Sequence, residues 1–76
     1  MKNLIIGGYY KLGWEDDLLI AVVLSIDPED DNEHEFKDIV ILEGDSKVMG
    51  WTSNPKDFDT IVYLGMGLDD FPEYFL

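Results

Sequence analysis

The chain contains no cysteine and no arginine, only three prolines, and no long apolar run. Without cysteine it can form neither a disulfide nor a thiolate zinc site. No stretch approaches the ~20 apolar residues that a membrane-spanning helix needs. The absence of cysteine fits a reducing compartment, so we expect a cytoplasmic protein.

Basic residues are also scarce. Five lysines face seventeen acidic residues, which gives a formal net charge of −12 over 76 residues. Such a field repels nucleic-acid phosphates and anionic lipid, and it attracts basic protein surfaces. We therefore expect neither direct nucleic-acid binding nor membrane binding, and we expect a partner with a basic surface.

The composition nevertheless predicts a folded domain. Apolar residues make up 46% of the chain and aromatic residues 13%, whereas disordered chains combine high charge with few apolar residues. We expect a single domain over residues 1–65. The C-terminal tail, 66–76, carries Phe71, Tyr74 and Phe75, and we expect it to pack on the domain, on a partner or on a second copy in a homodimer.

Five short strands are predicted from runs of β-branched residues bounded by turn residues. They cover 9–12, 18–26, 39–42, 47–52 and 60–64. The continuous apolar run 18–26 could also form a buried helix, but its flanks favour a strand buried on both faces. Residues 28–38 are predicted to form an acidic loop. One helical turn precedes the fifth strand, with Ser53 or Asn54 as its cap and Pro55 at its first position.

The order of these elements carries a family resemblance. The segments concerned are Gly8–Leu12, Leu18–Ile26, Ile39–Leu42, and Gly50-Trp51-Thr52-Ser53-Asn54 running into 58–62. They resemble the SH3-like small barrels that are common in phage-encoded proteins. The resemblance implies an all-β, five-stranded barrel with one helical turn, and a phage protein acting in the host cytoplasm. No tyrosine pair matches a polyproline groove, so binding to proline motifs is not expected.

Catalytic chemistry finds little support in the sequence. The single histidine, His34, lies in the predicted acidic loop, and nothing in the pattern places it beside a serine. A Ser-His-Asp arrangement requires those side chains to converge. We interpret His34 as a solvated loop residue and expect no enzymatic activity and no cofactor.

A dedicated metal site is not expected either. Residues 27–35 are rich in carboxylates, but a calcium loop of the EF-hand type needs alternating oxygen ligands and a central glycine. The glycine is absent and the spacing differs. Weak adhesion of a divalent ion is the most that this stretch indicates.

The strongest functional signal is the distribution of charge. Within residues 27–38, seven acids against Lys37 leave −6, half of the net charge. The predicted partner-binding acids are Asp27, Glu29, Asp30, Asp31, Glu33, Glu35 and Asp38, with Glu15, Asp16, Asp17, Asp57 and Asp59 as flanks. This row could imitate nucleic-acid phosphates and occupy a basic groove. The alternative is that the acids only keep a small protein soluble.

Aromatic residues supply the second signal. Trp14 and Trp51 each follow a glycine at the edge of a predicted strand, so we expect both to be partly exposed anchors of an interface. The leading hypothesis is an acidic, DNA-mimicking inhibitor that blocks the basic site of a host nucleic-acid-handling protein. The alternatives are an assembly module that binds through the exposed aromatics and the tail, and a small-molecule pocket inside the barrel.

Overall fold

A computed structural model describes residues 4–30, 32–44 and 50–67 of the chain. The strands are β1 (Tyr9–Trp14), β2 (Asp17–Ile26), β3 (His34–Glu43), β4 (Gly50–Ser53) and β5 (Thr60–Gly65), and one 3-10 turn spans Pro55–Asp57. The predicted all-β class with one short helical turn is confirmed. Within the described ranges, no helix is long and apolar enough to cross a membrane.

The five strands form one antiparallel sheet in the order β4-β3-β2-β1-β5. The pairing of β2 with β3 shifts register at three points, and such irregularities bend a strand and increase its twist. The sheet therefore curls. The rings of Trp14 in β1 and Trp51 in β4 lie 5.6 Å apart although two strands separate them. Closure into a barrel through β4 and β5 stays a prediction.

The core fills the concave face of this curled sheet. Its fully buried members come from the three central strands; they are Tyr10, Leu12, Leu19, Ala21, Val23 and Phe36. Burial on both faces, predicted for all of 18–26, does not continue to the end of β2, since Leu24 is 45% exposed. Pairing with β1 ends where Tyr9 faces Val22, so the last residues of β2 project beyond that neighbour.

Two strands, β1 and β3, exceed their predicted bounds by more than one residue. β1 continues through Gly13 and Trp14, which pair with Leu18 and Asp17 of β2, so the turn between these two strands consists of residues 15–16 only. β3 begins at His34 rather than at residue 39, and the predicted loop 28–38 is therefore too long. The reason is an inside-outside alternation in which Glu35 and Lys37 are exposed between buried neighbours.

The segment around the 3-10 turn follows the prediction more closely. Asn54 is the cap, and its side-chain oxygen accepts a hydrogen bond from the Lys56 amide at 3.1 Å. The other candidate, Ser53, donates from its hydroxyl to Asp57 at 3.1 Å. β4 begins at Gly50, and the predicted strand residues 47–49 lie outside the described residues, as does the predicted tail from residue 68 onwards.

Candidate functional site

Three adjoining depressions lie along β4, the 3-10 turn and the β2–β3 loop. We call two of them together the acidic groove. Its larger depression, about 240 Å³, is lined by Ser25, Ile26, Asp27, Glu33, Glu35 and Thr52. Its smaller depression, about 160 Å³, is lined by Asp30, Glu33, Asn54, Lys56 and Asp57. The third, the aromatic pocket, is about 190 Å³ and is lined by Trp14, Trp51, Thr52, Ser53, Asp57 and Phe58.

Backbone hydrogen bonds fold the β2–β3 loop back on itself. The Asp27 amide donates to the Glu33 carbonyl at 2.8 Å, and the Glu33 amide donates to the Asp30 carbonyl at 3.0 Å. The Asp27 carboxylate also accepts from the Glu29 amide at 2.9 Å. These bonds hold together Asp27, Asp30 and Glu33, which are spaced three residues apart in the sequence and line the acidic groove.

The carboxylates of this loop are close enough to perturb one another. The pKa of Glu33 is raised above its ordinary value of 4.5, chiefly by a side-chain hydrogen bond with Asp30, then by partial burial and by the charges of Asp30 and Asp27. A hydrogen bond with Thr52 opposes the shift. The charged form of Glu33 is therefore disfavoured in the folded protein, as expected where negative charges crowd together.

This crowding gives a prediction for Glu33→Gln. Because the folded-state pKa is raised, the native protein gains stability as pH falls through that pKa, and it loses this gain as pH rises. Gln removes the repulsion at every pH. We expect a higher Tm than wild type at pH 7 and convergence of the two Tm values below about pH 4.5. Thermal unfolding across pH checks this, and equal Tm values at pH 7 would contradict the crowding.

Glu35 extends the acidic groove across the outer face of the sheet. In β3 it pairs with Ser25 of β2 on one side and with Thr52 of β4 on the other. The Ser25 hydroxyl donates to the Glu35 carboxylate at 3.0 Å. A hydroxyl, a carboxylate and a second hydroxyl thus form one row over three strands, and the row lies next to Glu33.

The predicted acids do not all belong to this groove. Asp27, Asp30, Glu33, Glu35 and the predicted flank residue Asp57 line it, and exposed Glu29 lies in the β2–β3 loop. Asp31 is outside the described residues. Asp38 departs from expectation, because it is only 3% exposed and accepts a hydrogen bond from the Trp51 indole N–H. It is a core residue that fixes Trp51, so a partner has no access to it.

The predicted flank at residues 15–17 lies at the opposite end of β2 from Asp27. The Glu15 amide donates to the Asp59 carboxylate at 3.4 Å. Asp17 packs against Gly44, whose φ of +104° and absent Cβ leave room for that carboxylate. These acids therefore form a separate turn and do not line the acidic groove.

The aromatic pocket is built around a fixed tryptophan. One side of Trp51 stacks on buried Phe36, with ring centroids 4.5 Å apart and an interplanar angle of 23°. Its rings also approach those of Trp14 at 5.6 Å and Phe58 at 5.7 Å, and Trp14 lies 5.3 Å from Phe58. Trp14, Trp51 and Phe58 are all half-buried, so this cluster both closes the core and presents aromatic surface at the pocket.

His34 is not a solvated loop residue, and that prediction is wrong. Its side chain is fully buried and stacks 6.0 Å from Phe36. Nε2 accepts a hydrogen bond from the Leu4 amide at 3.1 Å, so Nδ1 carries the hydrogen and donates it to the Asn32 carbonyl. One ring nitrogen therefore connects Leu4 to β3, and the other connects Asn32 of the β2–β3 loop to β3. The role of His34 is structural.

Sequence reasoning missed the contribution of Ser25, Thr52 and Phe58 to this region. Strand pairing, and not local pattern, brings the hydroxyls beside the acids. In the described part of the chain, no group of three or more His, Cys, Asp or Glu side chains is arranged to hold a metal ion. Comparisons with family models, curated proteins and solved structures gave no match.

Proposed function

We propose that this chain is a non-enzymatic binding protein that occupies the basic, nucleic-acid-binding site of a partner protein. The observation that carries the proposal is the acidic groove bordered by the aromatic pocket, which share Thr52 and Asp57. Charged rims around aromatic anchors are how protein interfaces concentrate binding energy. In the setting that the sequence resemblance implies, the protein is a phage-type inhibitor acting in the host cytoplasm.

The electrostatics of the groove support a basic partner. The pKa of Glu33 is raised chiefly by its side-chain hydrogen bond with Asp30 and by partial burial, and the negative charges of Asp30 and Asp27 add to the shift. Lysine or arginine side chains placed among these carboxylates would replace repulsion with attraction. The net charge of −12 extends the same attraction over the whole molecule, and such fields speed diffusional association.

A second candidate function rests on a different surface. Among the described strands, β5 lies at one end of the sheet order, and its side chains Ile61, Val62 and Tyr63 are 38%, 42% and 46% exposed. An exposed apolar edge strand is a template for pairing with another chain. This surface favours an assembly module, whose binding would depend on apolar burial rather than on charge.

Capture followed by competition distinguishes the two functions. The immobilised protein is exposed to bacterial lysate at low and at moderate salt, and each captured protein is then challenged with duplex DNA and with RNA. We expect a basic partner that nucleic acid displaces, because both ligands use the same site. A partner that is retained at moderate salt and is not displaced by nucleic acid would overturn the proposal and favour the assembly function.

A further inference from the structure

We propose that the aromatic pocket receives an arginine side chain of the partner, with the guanidinium group against the tryptophan rings and beside the Asp57 carboxylate. This inference rests on the proposed function and specifies how the basic partner is anchored. The first supporting observation is the small size of the pocket. A volume of about 190 Å³ is below the roughly 300–1,000 Å³ of pockets that hold drug-sized ligands, and it suits one long side chain.

The aromatic wall of the pocket is preorganised. Stacking on Phe36 and the hydrogen bond from the indole N–H to buried Asp38 fix the Trp51 ring before any ligand arrives. Trp14 and Phe58 pack against it from the other directions at 5.6 and 5.7 Å. Little side-chain freedom remains to be lost on binding, and tryptophan is the aromatic residue that binds cations best through its ring face.

The polar wall of the pocket is a carboxylate held in place. The Ser53 hydroxyl donates to Asp57 Oδ2 at 3.1 Å, which positions this exposed side chain at the junction of the aromatic pocket and the acidic groove. A cation that enters the pocket thus meets an aromatic surface and a negative charge together. Charge complementarity with a net −12 protein favours a basic occupant over an apolar one.

The combination of these walls favours arginine over lysine. A guanidinium group is planar and weakly hydrated, so it can stack on an aromatic ring while its edge donates hydrogen bonds to a carboxylate. A lysine ammonium is compact and strongly hydrated, and it cannot present a flat face. The pocket therefore selects arginine by geometry as well as by charge.

The test uses three blocked tripeptides, acetyl-Gly-Xaa-Gly-amide, in which Xaa is arginine, lysine or citrulline. Citrulline keeps the planar shape of arginine but has no charge. Binding to the full chain is followed by NMR through the two tryptophan indole N–H signals. We expect saturable shifts with the arginine peptide, at least threefold weaker binding of the lysine peptide, and no saturation with the citrulline peptide up to about 10 mM.

Two variants, each lacking one negative charge, test whether the arginine peptide binds in the aromatic pocket. Asp57→Asn keeps an oxygen that can accept from Ser53, and it should abolish the preference for arginine over lysine. Glu43→Gln removes the same charge at an exposed position that lines none of the three depressions, and it should keep the preference. Equal binding of the arginine and lysine peptides to wild type would overturn the arginine pocket. So would an equal loss of the preference for arginine in both variants.

The outcomes also separate this inference from the function on which it rests. If the peptides show no arginine preference while nucleic acid still displaces the captured partner, only the arginine pocket is overturned. If nucleic acid does not displace the captured partner while the peptides bind as expected, the arginine pocket is supported and the proposed function at a nucleic-acid-binding site is overturned.

Discussion

Replacing Phe36 by alanine should destabilise the protein by about 3–5 kcal/mol, the usual cost of removing a buried aromatic side chain. Phe36 is fully buried and contacts three other rings: it stacks on Trp51 and His34 and meets Phe58 edge-on at 5.7 Å. Since small domains have only about 5–15 kcal/mol of total stability, we expect a large share of the folding free energy to be lost.

The matched control is Lys37→Ala at the next position. Lys37 is exposed on the other face of β3, and substitutions at such surface positions usually change stability by less than about 0.5 kcal/mol. Urea unfolding followed by tryptophan fluorescence measures both variants. Similar unfolding midpoints for the two would show that the stack His34, Phe36, Trp51 is not the centre of the core.

The second large effect is expected on binding. Asp30→Asn combined with Glu33→Gln removes two charges from the acidic groove and should slow association with the captured partner about tenfold, since electrostatic steering commonly raises association rates by 10–10³-fold. Both side chains lie at the surface of the loop, exposed in the case of Asp30 and half-buried in the case of Glu33. The fold should therefore survive, as the circular dichroism spectrum would verify.

Asp16→Asn combined with Glu43→Gln provides the control. It also removes two charges, both at exposed positions that line none of the three depressions. Stopped-flow association rates for the two double variants make the comparison. Equal slowing would assign the effect to net charge alone, and unchanged rates in both would exclude a role for these carboxylates in binding.

The fold was predictable where local sequence and long-range pairing agree. The run 18–26 is a strand within one residue of its predicted limits, and Asn54 and Pro55 begin the helical turn as their chemistry requires. The start of β3 was predicted five residues too late because its first half carries charges that are typical of a loop. The alternation of Glu35 and Lys37 with buried neighbours was the signal that could have extended it.

The candidate site was predictable in composition but not in arrangement. Acid density alone pointed to residues 27–38. Asp38 belongs instead to the core, because the indole N–H of Trp51, thirteen residues away, satisfies its carboxylate. The placing of Thr52 beside Glu35 depends on the register between β3 and β4. Contacts of this kind follow from the register between paired strands, which no local pattern specifies.

The salt dependence of binding tests the central claim most directly. The claim is that carboxylates of the acidic groove bind a basic, nucleic-acid-binding site. The affinity of the captured partner for wild type and for the Asp30→Asn/Glu33→Gln variant is measured at 0.1 M and 1 M salt, between which the Debye length falls from ~10 to ~3 Å. We expect wild-type binding to weaken strongly as salt rises, and the variant to bind more weakly with a shallower dependence. An affinity that changes neither with salt concentration nor with the two substitutions would contradict the account.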